Sequence, residues 1–522
     1  MNKNSRTKNS IVNLCFNIFY QAFIILMTFL SRRVFIECLN IDYLGISGLF
    51  SNLLQLLSLA ELGISGAISF SMYKEIAEGN KKKLQALSSY YKKLYNRIAM
   101  IILIMGLSFF PFLKYLINME NEIPHIEIYY LIFLLDTVFS YLFIYKTTIV
   151  YADQNAYKLK KITIITDLIR YLSQIAALLV LKNYFIYLII QITCTFLSNF
   201  IKSKMAEKWY PFIKEKEELP DEEKKELWKN IKAMVYYKFG GVLLNNTDNI
   251  LISVLVGTTM VGIYSNYTMI YNKLVGIINL VFSSIQASIG NLNVKADSKK
   301  KYETYQLLNL ISFWLFAIAT IGIFYVAEDI IVAMTGSKNF ILDKSILFVG
   351  AVNFYIQGGM TVNTMFRETT GIFKITKYSM LICTILNIIF SIIFGNKFGL
   401  FGILFATLFA RLLTNVWYEP YLLYKKIFKK KPSTYYIELI SRILLIIGII
   451  VVLNPVVSLV TTSNLYLKIL LKIILCFVLP NIILLIVFWK TTEFKYLLNR
   501  IHFIYHKIMD WMKGILKINK KI

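Results

Sequence analysis

The sequence predicts an all-α, polytopic membrane protein of about fourteen transmembrane helices, read as two pseudo-symmetric six-helix bundles plus two C-terminal helices. Three observations predict it. Of 522 residues, 57% are hydrophobic and 15% aromatic, with mean hydropathy +0.59, whereas soluble domains carry roughly 45–50% apolar residues. Apolar runs of about 18 or more residues, the length that crosses a hydrocarbon core of about 30 Å, recur from end to end. Lysine and arginine gather in alternate loops between those runs.

The runs place helices at 11–36, 43–71, 94–117, 127–150, 162–182 and 184–202, which make a first lobe over residues 1–202. A polar connector over 203–232 follows, where Glu215–Glu218 and Asp221–Glu226 surround Pro220. Proline at a helix start with acids in the first turn predicts a helical entry into the next span. Helices at 233–256, 260–290, 304–327, 344–367, 378–395 and 399–422 make a second lobe over 233–423. Two more, at 437–459 and 466–489, occupy 424–489. In the tail, 490–522, Leu497, Ile501, Ile504, Ile508 and Ile515 alternate at helical spacing with lysine and arginine. That pattern predicts an amphipathic helix on a surface of anionic lipids.

With the N-terminus inside, about forty Lys or Arg fall in inner loops and about five in outer ones, which reads as both termini cytoplasmic. The net charge of +27 is thus a matter of topology. No basic globular domain or recognition motif accompanies it, so nucleic acid is not an expected partner. Cys15, Cys38, Cys194, Cys383 and Cys476 are scattered in or beside apolar runs without CxxC spacing, and read as small apolar side chains. No small-residue cleavage site follows the first basic residues, so the first helix is expected to be retained.

The two halves resemble each other. Tyr43-Leu44-Gly45-Ile46 opens the second helix and is followed by Lys81–Lys83 and a tyrosine-rich helix entry. Val261-Gly262-Ile263-Tyr264 opens the eighth, followed by Lys299–Lys301, Tyr302 and Tyr305. Such repeats make two lobes around a central site in many transporters.

No GxxxxGK[ST], HExxH or GxSxG motif is present, so neither an enzyme nor a cofactor is expected. His502 and His506 share a face of the tail but lack a third ligand, so no metal site is expected. The informative residues are charges within spans, which are costly there and face water or a partner. The cations are Arg32, Arg33, Arg170, Lys273 and Arg411. At roughly 2.5–3.5 kcal/mol per central charge, five facing lipid cost on the order of 10 kcal/mol, which argues for an aqueous interior. Arginine's fork and lysine's point charge together suit a pyrophosphate. Helix rise puts Lys273 and Arg411 near the midplane.

Local pairing competes with that reading. Asp167 and Arg170 are three apart on one helix, and Arg32 and Arg33 are placed to snorkel outward. Glu61, Asp136 and Asp248 are candidates for gating, pairing or ion coupling. Glu61 sits in a Gly-, Ser- and Ala-rich segment that permits close packing. Asp248 belongs to a polar patch with Asn245, Asn246 and Thr247 that suits either interhelical bonding or sugar.

At these residues the chain resembles the Wzx-type lipid-linked oligosaccharide flippases of the multidrug/oligosaccharidyl-lipid/polysaccharide exporter (MOP) superfamily. The resemblance rests on Tyr43-Leu44-Gly45-Ile46-Ser47-Gly48-Leu49-Phe50 leading into Ala60-Glu61-Leu62-Gly63 and Tyr73. It rests equally on Thr247-Asp248-Asn249-Ile250-Leu251-Ile252-Ser253 with Val261-Gly262-Ile263-Tyr264-Ser265-Asn266-Tyr267. It implies two six-helix bundles facing a V-shaped cavity, alternating access, and an undecaprenyl-pyrophosphate oligosaccharide as substrate in a bacterial inner membrane. Polysaccharide polymerase and glycosyltransferases are its implied partners. A drug or organic-cation antiporter of the same superfamily, and a non-transporting scaffold for glycan assembly, are the alternatives.

Overall fold

In a computed structural model the chain is described over residues 3–498, apart from 59–67, 69, 70, 73, 74, 77, 120–122, 154, 216, 373, 374 and 377. Glu61 and the patterned tail beyond residue 498 lie outside the described residues. The described residues are helical, without a β-strand. In order they form α1 (Lys3–Leu39), α2 (Ile41–Leu57), α3 (Lys81–Phe109), α4 (Ile126–Ala152), α5 (Ala156–Leu181), α6 (Tyr184–Trp209), α7 (Asp221–Leu255), α8 (Thr258–Lys295), α9 (Ser298–Thr335) and α10 (Lys344–Thr370). The stretch Ser379–Leu413 is two helices that meet at Gly399 (φ 57°, ψ −136°), here α11 (379–398) and α12 (400–413). After Asn415–Leu422 and a π-helical turn at Leu423–Phe428 come α13 (Ser433–Ser458) and α14 (Leu465–Phe488). Ten stretches among the described residues are long and apolar enough to span a membrane, one of them running through Gly399. This is an all-α polytopic membrane protein.

Several helices outrun the apolar segments that predict them. α9 has 38 residues, about 57 Å of rise against a core of about 30 Å, and its extra turns begin with Lys299–Lys301. Breaks fall where local chemistry asks for them. Asn80 and Asn183 cap α3 and α6 by accepting from Lys83 N and Ile186 N, satisfying amides that a helix start leaves without partners. α7 starts at Asp221 directly after Pro220, with Asp221, Glu222 and Glu223 in its first turn. At Gly399 a left-handed backbone lets α12 fold back closely: a methyl on Gly402 would lie 2.1 Å from the Phe394 carbonyl oxygen.

The chain divides into two compact units. The first is Met1–Lys273, Ile331–Ile346 and Lys377–Arg411. Within it α4 packs on α3 and α6, α6 packs on α5, α1 lies on α5, and α2 packs on both α4 and α7. Tyr43, Tyr129 and Tyr184 form an aromatic cluster at one end, with ring centroids 4.8–4.9 Å apart about Tyr184 and Ser47 Oγ 2.6 Å from the Tyr184 hydroxyl. The opening segments of the two sequence repeats meet here. A methyl on Gly45 would lie 2.2 Å from the Thr258 carbonyl oxygen, and Thr259 donates to Asp42 at 2.5 Å.

The second unit is Leu274–Ile330, Leu347–Thr376 and Leu412–Ile522. α9 and α10 touch at Gly358, where a methyl would strike the Phe316 ring at 2.1 Å. Asn363 links them to α13, accepting from Tyr305 at 2.6 Å and donating to Tyr435 at 3.1 Å. α14 is bound to α9 by Trp314 donating to Asn481 at 2.8 Å and by Asp329, which pairs with both Lys468 and Lys472. Arg367, fully buried, pairs with Glu419 at 2.5 Å.

Candidate functional site

The charged residues singled out in the sequence, apart from Glu61, fall into four settings. Arg33 is half-exposed and pairs with Glu37 at 2.8 Å, also donating to the Ala333 carbonyl at 3.3 Å. The i,i+4 spacing alone brings such a pair together.

A second setting joins α1, α5 and α6. Arg170 pairs with Asp167 at 3.1 Å, and Asp167 in turn accepts from the Tyr20 hydroxyl at 2.8 Å. Lys160 lies 3.9 Å from the Tyr20 ring centroid, and both Lys160 and Lys202 are within electrostatic reach of Asp167. Asp136 accepts from Gln191 at 3.3 Å, while its Oδ1 is buried with no hydrogen-bond partner among the described residues. Three cations thus surround Asp167. Lys160 and Lys202 escaped the sequence reading because each borders a basic loop and was assigned to it.

The third setting is the most informative. Arg32, on α1, meets only neutral groups of α8: its Nη1 is 3.5 Å from Ser265 Oγ and its Nη2 3.8 Å from Met269 Sδ. One helical turn beyond Met269 on the same face stands Lys273. Lys273 is half-buried and has no hydrogen-bond or ion-pair partner among the described residues. It stands 15 residues into an α8 span of 29 residues, near its middle. Arg32 thus reaches α8 within one turn of Lys273, and neither cation has an ion-pair partner among the described residues. In water-poor surroundings such cations are unfavourable until an anion joins them, and a phosphate oxygen array answers both the fork and the point charge.

Asp248 lies elsewhere in the first unit, between α7, α11 and α12. Its Oδ2 accepts from Thr407 Oγ1 at 2.9 Å, and Asn387 donates to Thr407 at 2.9 Å and Ser391 at 3.4 Å. Asp248 Oδ1 and Asn387 Oδ1 are both buried and meet no donor among the described residues. Arg411, also half-buried, is within electrostatic reach of Asp248, Cys383 and Tyr264, so of the two midplane cations only Lys273 stands apart from a carboxylate. No group of three or more His, Cys, Asp or Glu suited to a metal ion occurs among the described residues. A lone carboxylate with amide and hydroxyl oxygens is a hard-oxygen set, suited to a proton or a monovalent cation rather than a thiophilic metal.

No protein-family model matches the sequence, and no curated protein sequence matches it. Solved structures do. The lipid II flippase MurJ, in an inward closed conformation, superposes with a TM-score of 0.63 at 19% identity, over 92% of this chain and 99% of its own. An inward-facing multidrug resistance MATE family transporter of the MOP superfamily gives a TM-score of 0.59 at 14% identity, over 74% of this chain and 91% of its own. A MOP superfamily transporter from Pyrococcus furiosus, described as having a binding pocket of reversed polarity, gives 0.55 at 12% identity, over 78% and 93%. The chain has the fold of the MOP superfamily transporters. That fold is common to a lipid flippase and to drug transporters.

Proposed function

We propose that this chain is a Wzx-type flippase, moving an undecaprenyl-pyrophosphate-linked oligosaccharide repeat unit across a bacterial inner membrane for surface polysaccharide synthesis. The observation that carries the reading is the setting of Arg32 and Lys273: Arg32 meets neutral Ser265 and Met269 of α8, and Lys273 stands one turn beyond Met269 on that helix. A cavity that expels organic cations needs the opposite sign, so these cations favour anionic cargo over the antiporter reading. The cations hold the pyrophosphate while the polyprenyl tail stays in lipid. The two six-helix halves, 1–202 and 233–423, alternate in access, with both chain termini cytoplasmic.

The Asp248 cluster is the reading's coupling site, where one buried carboxylate takes up a proton or a monovalent cation as the halves exchange. A polysaccharide polymerase and glycosyltransferases act on either side of the transport step.

The test is genetic. In a strain lacking the gene, wild-type protein restores surface glycan, and Arg32→Ala with Lys273→Ala leaves lipid-linked oligosaccharide in the inner leaflet although the protein still inserts. Normal glycan from the double variant would contradict the site.

A further inference from the structure

The second unit holds a cavity of 390 Å³ between α8 and α10, within the range of about 300–1,000 Å³ that small-molecule sites occupy. Its polar wall is Asn279, Ser283 and Gln286 from α8 with Gln357, Thr361 and Glu368 from α10. Among the described residues neither lysine nor arginine lines it. Asn279, Ser283, Gln286, Gln357 and Glu368 are exposed although they belong to spanning helices. Amides and a carboxylate facing hydrocarbon would forfeit their hydrogen bonds, so these side chains face water. The apolar remainder includes Phe282, Met360 and Met365, surfaces on which the C–H face of a pyranose packs.

The charge of the wall is specific. Glu368 Oε2 accepts from Gln286 at 3.1 Å. Arg367 stands 3.9 Å from its Oε1 but is wholly buried and pairs with Glu419 at 2.5 Å. Glu368 therefore leaves this pocket weakly negative, and the amides and hydroxyls beside it both donate and accept. That set matches sugar hydroxyls and acetamido groups, repels a carboxylate, and offers nothing to a pyrophosphate.

We infer that the α8–α10 pocket is a sugar subsite that admits neutral or amino-bearing sugars of the lipid-linked glycan and excludes acidic ones. The inference rests on the flippase reading and assigns the sugar, rather than the diphosphate, to this pocket.

The test uses full-length protein in nanodiscs with three probes: undecaprenyl pyrophosphate, undecaprenyl-pyrophosphoryl-N-acetylglucosamine and undecaprenyl-pyrophosphoryl-galacturonic acid. Wild-type protein should bind the acetylglucosamine carrier about tenfold more tightly than the galacturonic acid carrier, the scale of one or two hydrogen bonds and a charge repulsion. Gln357→Leu combined with Thr361→Val should narrow that gap, Glu368 remaining, while leaving affinity for the bare carrier unchanged, which also shows that the variant is folded. Glu368→Lys should invert the preference. Equal binding of the two glycosylated carriers by wild type, or equal weakening of bare and glycosylated carriers by the paired variant, would overturn the pocket assignment and leave the flippase reading standing. No binding of the bare carrier by wild type would instead contradict the flippase reading, and the subsite with it.

Discussion

Gly262 is packed against Gly45 so closely that a methyl on Gly262 would lie 2.9 Å from the Gly45 backbone nitrogen and 2.6 Å from the Ile41 carbonyl oxygen. Both glycines belong to the related segments that open α2 and α8. Small residues let the two helices meet backbone to backbone, as membrane helices do where no hydrophobic force separates interface from lipid.

Gly262→Val should therefore lower thermal stability in detergent, by about 1–3 kcal/mol as an overpacking change that meets backbone rather than a yielding side chain. Gly276→Ala is the control on the same helix, since nothing lies within 4 Å of its added methyl; it should leave the melting temperature unchanged or slightly raised. Equal melting of the two variants would contradict the close contact.

Removing one member of the Arg367–Glu419 pair should be costly, because each is buried to 0–2% side-chain exposure and the survivor is stranded. Glu419→Ala should destabilise the fold by about 3–5 kcal/mol, whereas Arg367→Met with Glu419→Leu should recover most of that loss. Thermal unfolding in detergent reads both. A double variant no better than the single would place the role of Arg367 outside this pair.

Asp248→Asn removes the charge and keeps the shape, so the protein should insert and melt normally. Substrate binding by wild-type protein should depend on pH or on a monovalent cation, and the variant should lose that dependence. A variant that retains it would remove Asp248 from the coupling role.

Much of the fold was legible in the sequence because bilayer thickness sets helix length and the translocation of basic loops is penalised. Apolar runs and lysine placement carry both constraints. The ends were less legible: α9 begins with charged residues that no hydropathy pattern marks, and the break read between 395 and 399 falls in the structure at Gly399, where the backbone turns left-handed. Lys273 and Arg32 could be named individually as costly charges. That Arg32 reaches Met269, one turn from Lys273, is a tertiary fact between residues 237 apart in the chain. The α8–α10 pocket was invisible for a different reason. Its wall is amides and hydroxyls, which cost too little in a span to stand out one at a time, and its one acid, Glu368, reads as the polar end of a helix.

The central claim is tested most directly in proteoliposomes holding the purified protein and a fluorescent undecaprenyl-pyrophosphoryl sugar, with the label reduced from outside to report transfer between leaflets. The account predicts that wild-type protein moves the lipid, that Lys273→Glu abolishes movement by reversing the charge one turn from where Arg32 meets α8, and that ethidium is not transported. Transport of ethidium by wild type, with the labelled lipid left in its original leaflet, would contradict it.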